Sequence, residues 1–172
     1  MTTTEKLKST IFPSLPTVLC CLFLVIDFYE GWLIPGLSAH LTFIGIFYWA
    51  LFRPDLLSPI AIFLAATTID LISFRTVGAT GFLSLALFAI IILQRHFFIK
   101  QTFLSNWGLF TIMLLCHNLI ILLAKSLGQN SFTGFEDMLT TTFANCLYTT
   151  ALFPLMFSSL YKTQTFFIES EK

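Results

Sequence analysis

Six apolar runs, separated by short clusters of charge, proline and glycine, order the whole chain: Leu15 to Leu33, Leu37 to Phe52, Leu56 to Phe74, Val77 to Leu93, Trp107 to Leu127 and Met138 to Tyr161. Polar residues inside these runs are isolated. A lipid core offers backbone groups no hydrogen-bond partner, so a spanning segment is a helix or a strand of a closed barrel. The runs are too long and too evenly apolar for barrel strands of about ten residues with alternating polarity. They predict six transmembrane helices. The second and fourth are short, which predicts a smaller tilt, extension into the flanking turns, or an incomplete crossing. The fold class expected is all-α integral membrane, one compact six-helix bundle, with residues 1–172 forming a single polytopic domain. The first run is expected to remain as a span, being longer than the apolar core of a signal peptide.

Composition sharpens this picture. Hydrophobic residues make up 56% of the chain and charged residues only 10%, against about a quarter charged in an average soluble domain. A formal net charge of zero removes the basic footprint that nucleic-acid binding needs, so no nucleic acid is expected as a partner. The distribution of the basic residues is more informative than their sum. With the N-terminus inside, Lys6, Lys8, Arg53, Arg95, Lys100, Lys162 and Lys172 all fall at cytoplasmic ends, leaving Arg75 and Lys125 outside. This asymmetry predicts that both termini face the cytoplasm. The connections Arg53-Pro54-Asp55 and Arg75-Thr76 are short. The inner segment from Gln94 to Asn106, where Arg95 and Lys100 sit among Phe97, Phe98, Ile99, Phe103 and Leu104, is expected as a loop lying in the headgroup boundary. The stretch from Gly128 to Phe135 reads as a polar outer loop.

Few residues carry candidate chemistry. Asp70, in the outer part of the third run, is an ionisable group within a span and therefore demands an explanation. Hydration near the interface, pairing with Arg75, contact with neighbouring helices, and ligand or proton work all remain open to it. The small residues Ala66 and Thr67 beside it place it toward protein. Asp27 and Glu30 share a face three residues apart and read as a solvated acidic pair at the outer end of the first helix. His40, His117-Asn118 and Asn145 read as packed, hydrogen-bonded residues between helices. Cys20, Cys21, Cys116 and Cys146 lie in apolar stretches without metal-ligand spacing and read as small hydrophobes. No nucleophile elbow, phosphate loop or paired-histidine metal motif is present. The chain is therefore expected not to be an enzyme and to hold no metal or other cofactor.

One stretch is more specific than hydropathy. Phe47-Tyr48-Trp49-Ala50-Leu51-Phe52-Arg53-Pro54-Asp55-Leu56-Leu57-Ser58-Pro59, an aromatic helix end followed by Arg-Pro-Asp-Leu, resembles MreD, the rod shape-determining membrane protein family, in its alphaproteobacterial form. Ile69-Asp70-Leu71-Ile72-Ser73 followed by Gly78 resembles that family's Asp-Leu-Leu-Ser-Gly-x-Pro-Leu-Gly segment, and Gln94-Arg95-His96-Phe97-Phe98 also fits. Phe74 stands where the family often has glycine, Thr76 where it has proline, and Thr80 where His or Asn is common.

The resemblance implies structural or partner-binding roles for six matching residues. Tyr48 and Trp49 are expected as interfacial anchors, Arg53 as an orienting charge and Pro54 as a helix stop. Asp70 is expected as a buried polar contact, and Gly78 as a turn or close-packing glycine. It further implies a multi-pass protein of the bacterial inner membrane that binds MreC directly and, with it, helps couple MreB filaments to RodA and a penicillin-binding transpeptidase in peptidoglycan synthesis. The architecture implied is similar to the substrate-binding subunits of energy-coupling-factor transporters. That similarity supplies the alternative, a vitamin-binding subunit of such an importer.

Overall fold

The computed structural model describes residues 15–33, 39–72, 78–128 and 135–169, and all regular structure among them is helical. The elements in chain order are α1 (Leu15–Leu33), α2 (Leu41–Phe52), a 3-10 turn (Pro54–Leu56), α3 (Pro59–Ile72), α4 (Ala79–Ile99), α5 (Phe103–Gly128) and α6 (Phe135–Glu169). Three of these, α4, α5 and α6, carry segments long and apolar enough to cross a membrane. The chain is a membrane protein on that ground.

Several expected boundaries move, each for a local reason. The second helix begins at Leu41, because Ala39 and His40 are non-helical; the expected start at Leu37 lies outside the described residues. The third begins at Pro59. Ser58 caps it, its Oγ accepting the Ala61 N–H at 3.4 Å, and proline is favoured at the first helical position because its missing N–H would have no partner there. Leu56 belongs instead to the 3-10 turn that Pro54 opens. The fourth helix does not stop at Leu93. It continues through Gln94, Arg95 and His96 to Ile99, and α5 starts at Phe103. The expected inner loop from Gln94 to Asn106 is thus a turn of Lys100, Gln101 and Thr102 between two helices. Hydropathy ended the run where polar residues began, but helix geometry tolerates polar residues wherever water or headgroups can reach them. The sixth helix extends at both ends beyond Met138 and Tyr161. The Arg75-Thr76 connection and residues 129–134 lie outside the described residues.

Each helix except α2 buries one stripe. In α5 the buried positions are Asn106, Phe110, Leu114, Asn118 and Leu122, and in α3 they are Ile62, Ala66 and Asp70, a spacing of four that keeps one face on protein. The opposite faces are apolar and open: Ile60, Leu64, Leu71 and Ile72 on α3, Phe82, Ile90 and Leu93 on α4, and Ile112, Leu119 and Leu123 on α5. A water-soluble bundle would put charge there; in lipid these faces meet hydrocarbon. In α2, by contrast, every residue from Leu41 to Leu51 is buried.

The helices gather into two units. The first comprises residues 15–28 and 41–100 of the described chain, and the second residues 29–33, 39–40 and 101–169. Within the first, α4 packs on both α3 and α2. The α3–α4 approach is tight at Gly81, where an added Cβ would stand 2.9 Å from Phe63 Cδ2 and 3.0 Å from Thr67 Oγ1. On α2, a Cβ added at Gly45 would stand 2.9 Å from Phe23 Cδ2 of α1. Small residues let helices approach closely where lipid supplies no hydrophobic drive to association. Within the second unit, α5 and α6 pair through aromatics: Phe110 stacks on Phe153 at 4.3 Å, and Phe103 meets Phe153 and Phe157 at 6.1 and 5.3 Å.

Pro154 lies inside α6. It has no N–H to give the carbonyl of Thr150 one turn back. That carbonyl instead accepts the indole N–H of Trp107 from α5 at 3.0 Å.

Candidate functional site

Four polar residues of the first unit, Thr17, Asp27, Asp70 and Arg95, serve the ends of neighbouring helices or the turn between them. The first turn of any helix leaves backbone N–H groups without intrahelical partners, and the last turn leaves carbonyls. In a membrane these groups need protein partners. Asp70, on the last turn of α3, is 1% exposed. Its Oδ2 accepts the backbone N–H of Thr80 at 3.0 Å and its Oδ1 accepts the Thr80 hydroxyl at 2.6 Å. Thr80 is the second residue of α4, and the residue at the cap position is Gly78, with φ of 82°. A glycine has no side chain with which to cap its own helix, so the carboxylate of the preceding helix does so across the turn. Its negative charge also opposes the positive end of the α4 dipole.

Gly78 acts through its conformation. Its positive φ is costly for residues with a Cβ, and among the described residues beyond its chain neighbours no atom lies within 4 Å of where a Cβ would stand. Of the two roles expected, turn and close packing, the turn is the one its surroundings fit. Asp70 faces protein, as Ala66 and Thr67 imply, but its partner is Thr80; Arg75 lies outside the described residues.

The same arrangement recurs at α2. Asp27 of α1 accepts the N–H groups of Leu41 and Thr42, the first two residues of α2, at 2.8 and 2.9 Å. This corrects the expectation of a solvated acidic pair at Asp27 and Glu30. Asp27 is half-buried and engaged by backbone, because α2 starts within its reach; the Glu30 side chain is outside the described residues. At the other end of α2, Arg95 of α4 donates from Nε to the Leu51 carbonyl at 3.0 Å and from Nη2 to the Phe52 carbonyl at 3.4 Å. The most apolar helix therefore carries an anion at its N-terminus and a cation at its C-terminus, both supplied by neighbours, in the sense that its dipole favours.

Tyr48 and Trp49 are 0% and 3% exposed. They do not anchor the protein at a membrane interface, because α2 is covered on all sides. Tyr48 instead packs edge-on against Trp49 at 5.3 Å and at a tilt against Phe52 at 4.9 Å, and the Trp49 indole N–H is buried without an acceptor among the described residues. Pro54 ends α2 and opens the 3-10 turn. The turn is fixed to α1 by Thr17, whose hydroxyl donates to the Leu56 carbonyl at 3.2 Å and accepts the Ser58 N–H at 3.0 Å. The Arg53 backbone N–H donates to Trp49 O at 2.8 Å. Its half-buried side chain has no partner among the described residues.

In the second unit, the backbone N–H of His40 donates to Thr149 Oγ1 at 3.2 Å, and that hydroxyl donates to the Asn145 carbonyl at 2.7 Å. The His40 and His117 rings meet edge-on at 5.9 Å. Asn118 donates to the Leu114 carbonyl at 2.9 Å. Among the described residues no three His, Cys, Asp or Glu side chains gather as a metal site would require.

Sequence reasoning missed Arg95, Asp27, Thr17 and Thr80 as structural partners. All four join segments far apart in the chain or, for Thr80, lie across a turn, and no local pattern marks such pairs. A scan against protein-family models, a search of curated proteins and a search of solved structures each return no match.

Proposed function

We propose that this chain is a non-enzymatic membrane scaffold of the bacterial cell-elongation complex, similar to MreD, that binds MreC directly and helps couple MreB filaments to RodA and a penicillin-binding transpeptidase. In this reading the protein lies in the bacterial inner membrane, all six helices belong to the membrane, and both termini are cytoplasmic. What supports it is the Tyr48 to Pro59 segment together with the use the fold makes of its polar residues. Asp27, Asp70, Arg95 and Thr17 all bond backbone or turn groups of neighbouring helices. Polar groups so engaged hold a shape; they are poorly placed to turn over a substrate.

Depletion in a rod-shaped host is expected to give rounded cells, and the tagged protein is expected to co-purify with MreC from detergent-solubilised membranes. Normal cell shape on depletion, with co-purification of an ATPase-bearing transporter module, would replace this reading with the vitamin-importer subunit.

A further inference from the structure

Two arginines far apart in sequence stand at one end of α2. Arg95 bonds the carbonyls of Leu51 and Phe52, and Phe52 immediately precedes Arg53. A guanidinium has five N–H donors; Arg95 uses one on each carbonyl, which leaves three. Arg53 uses none of its own on any described residue. Asp55, on the same turn, is exposed, as is the basic residue Lys100 that follows α4. Positive charge and unmet donors therefore predominate here.

Depth decides what can answer them. The α4 helix, at 21 residues, is about 31 Å long, close to the roughly 30 Å of a bilayer's hydrocarbon core. Arg95 stands four residues before its end, about 6 Å along the axis, which places it where hydrocarbon gives way to headgroups. The anions abundant there are lipid phosphates, and guanidinium matches a phosphate through paired hydrogen bonds.

We propose that the Arg53 end of α2 is a seat for the phosphate of an anionic phospholipid, held by Arg53 and by the N–H groups of Arg95 that the α2 carbonyls leave over. Arg53 is the principal cation, because Arg95 already serves the helix end. Basic pockets between membrane helices take anionic headgroups in this way. The site does not depend on which protein partner the chain binds.

The test uses the full-length protein in a neutral detergent, with thermal unfolding followed as phosphatidylglycerol, phosphatidylcholine or inorganic phosphate is added. Saturating phosphatidylglycerol is expected to raise the Tm by roughly 5 °C, phosphatidylcholine and inorganic phosphate by little. Arg53→Gln is expected to lose most of that shift, while Lys100→Gln, which removes an equal charge from the same region, is expected to keep it. An equal response to phosphatidylcholine, or full retention in Arg53→Gln, overturns the proposal. Equal loss in Lys100→Gln overturns it as well, since a diffuse surface charge would then suffice. An equal response to inorganic phosphate removes the lipid as the source. Should Arg53→Gln fail to fold, native mass spectrometry of the unmodified protein decides: no preference for phosphatidylglycerol over phosphatidylcholine in competition overturns the seat.

Discussion

Asp70 accepts two hydrogen bonds from one residue, and this makes its substitutions separable. In Asp70→Asn the amide carbonyl still accepts the Thr80 N–H, and the amide NH2 turns to donate to Thr80 Oγ1, whose hydroxyl accepts as readily as it donates. The geometry of both bonds survives, and only the charge opposite the α4 dipole is lost, a cost of about 0.3–1 kcal/mol. Asp70→Leu leaves the backbone N–H and the hydroxyl unmatched in a buried site, which costs roughly 2–4 kcal/mol. Thermal unfolding in detergent is expected to rank unmodified protein and Asn close together and Leu well below. A role that needs the charge itself, as in proton or ion movement, would instead put Asn near Leu. Thr80→Val is expected to fall between, because the carboxylate keeps the N–H and loses the hydroxyl.

At the scale of elements, the pairing of α5 with α6 rests on an exchange of partners at Pro154. Removing the donor in Trp107→Phe leaves the Thr150 carbonyl without the bond it has at 3.0 Å, at a cost of roughly 1–3 kcal/mol. Replacing Pro154 by Ala restores an N–H to that carbonyl from within α6. Pro154→Ala is therefore expected to recover most of the stability lost in Trp107→Phe, and the double-mutant cycle is expected to show coupling above 0.5 kcal/mol. Additive effects would mean that the indole and the restored N–H do not serve the same carbonyl. A parallel expectation holds for Arg95→Leu, which abandons the Leu51 and Phe52 carbonyls and should lower the Tm, whereas Arg95→Lys should avoid part of the loss because its ammonium still donates at that helix end.

The helices themselves are legible in the sequence because each lies in an apolar run, and the described part of α1 covers the run from Leu15 to Leu33. Their partners are not. A run of hydropathy says that Arg95 lies past the apolar stretch of α4, but not that α2 ends beside it. It marks Tyr48 and Trp49 as aromatics near a helix end, but not that α2 is enclosed and short. Asp70 was the exception, since Ala66 and Thr67 on its own helix already showed which way that face turned.

For the whole molecule the open physical issue is how short helices sit in a thick bilayer. The α2 helix has 12 residues, about 18 Å, far less than the roughly 30 Å of hydrocarbon. It incurs no mismatch with lipid, because its residues are buried on every face and its two ends are bonded by Asp27 and Arg95. The α3 helix is different: at 14 residues it is about 21 Å long, and Ile60, Leu64, Leu71 and Ile72 are open along it. If α3 crosses, the bilayer thins beside it or the flanking turns complete the crossing. Reporter fusions after Asp55, Thr76, Lys100 and Gln129 distinguish the arrangements. A six-span protein oriented by its basic residues is expected to report Asp55 and Lys100 on the cytoplasmic side and Thr76 and Gln129 on the other. A protein crossing only with α4, α5 and α6 still separates Lys100 from Gln129, but it reports Asp55 and Thr76 on the same side. That result would leave α1 to α3 as a helical cluster seated in one leaflet, and would end the six-span reading.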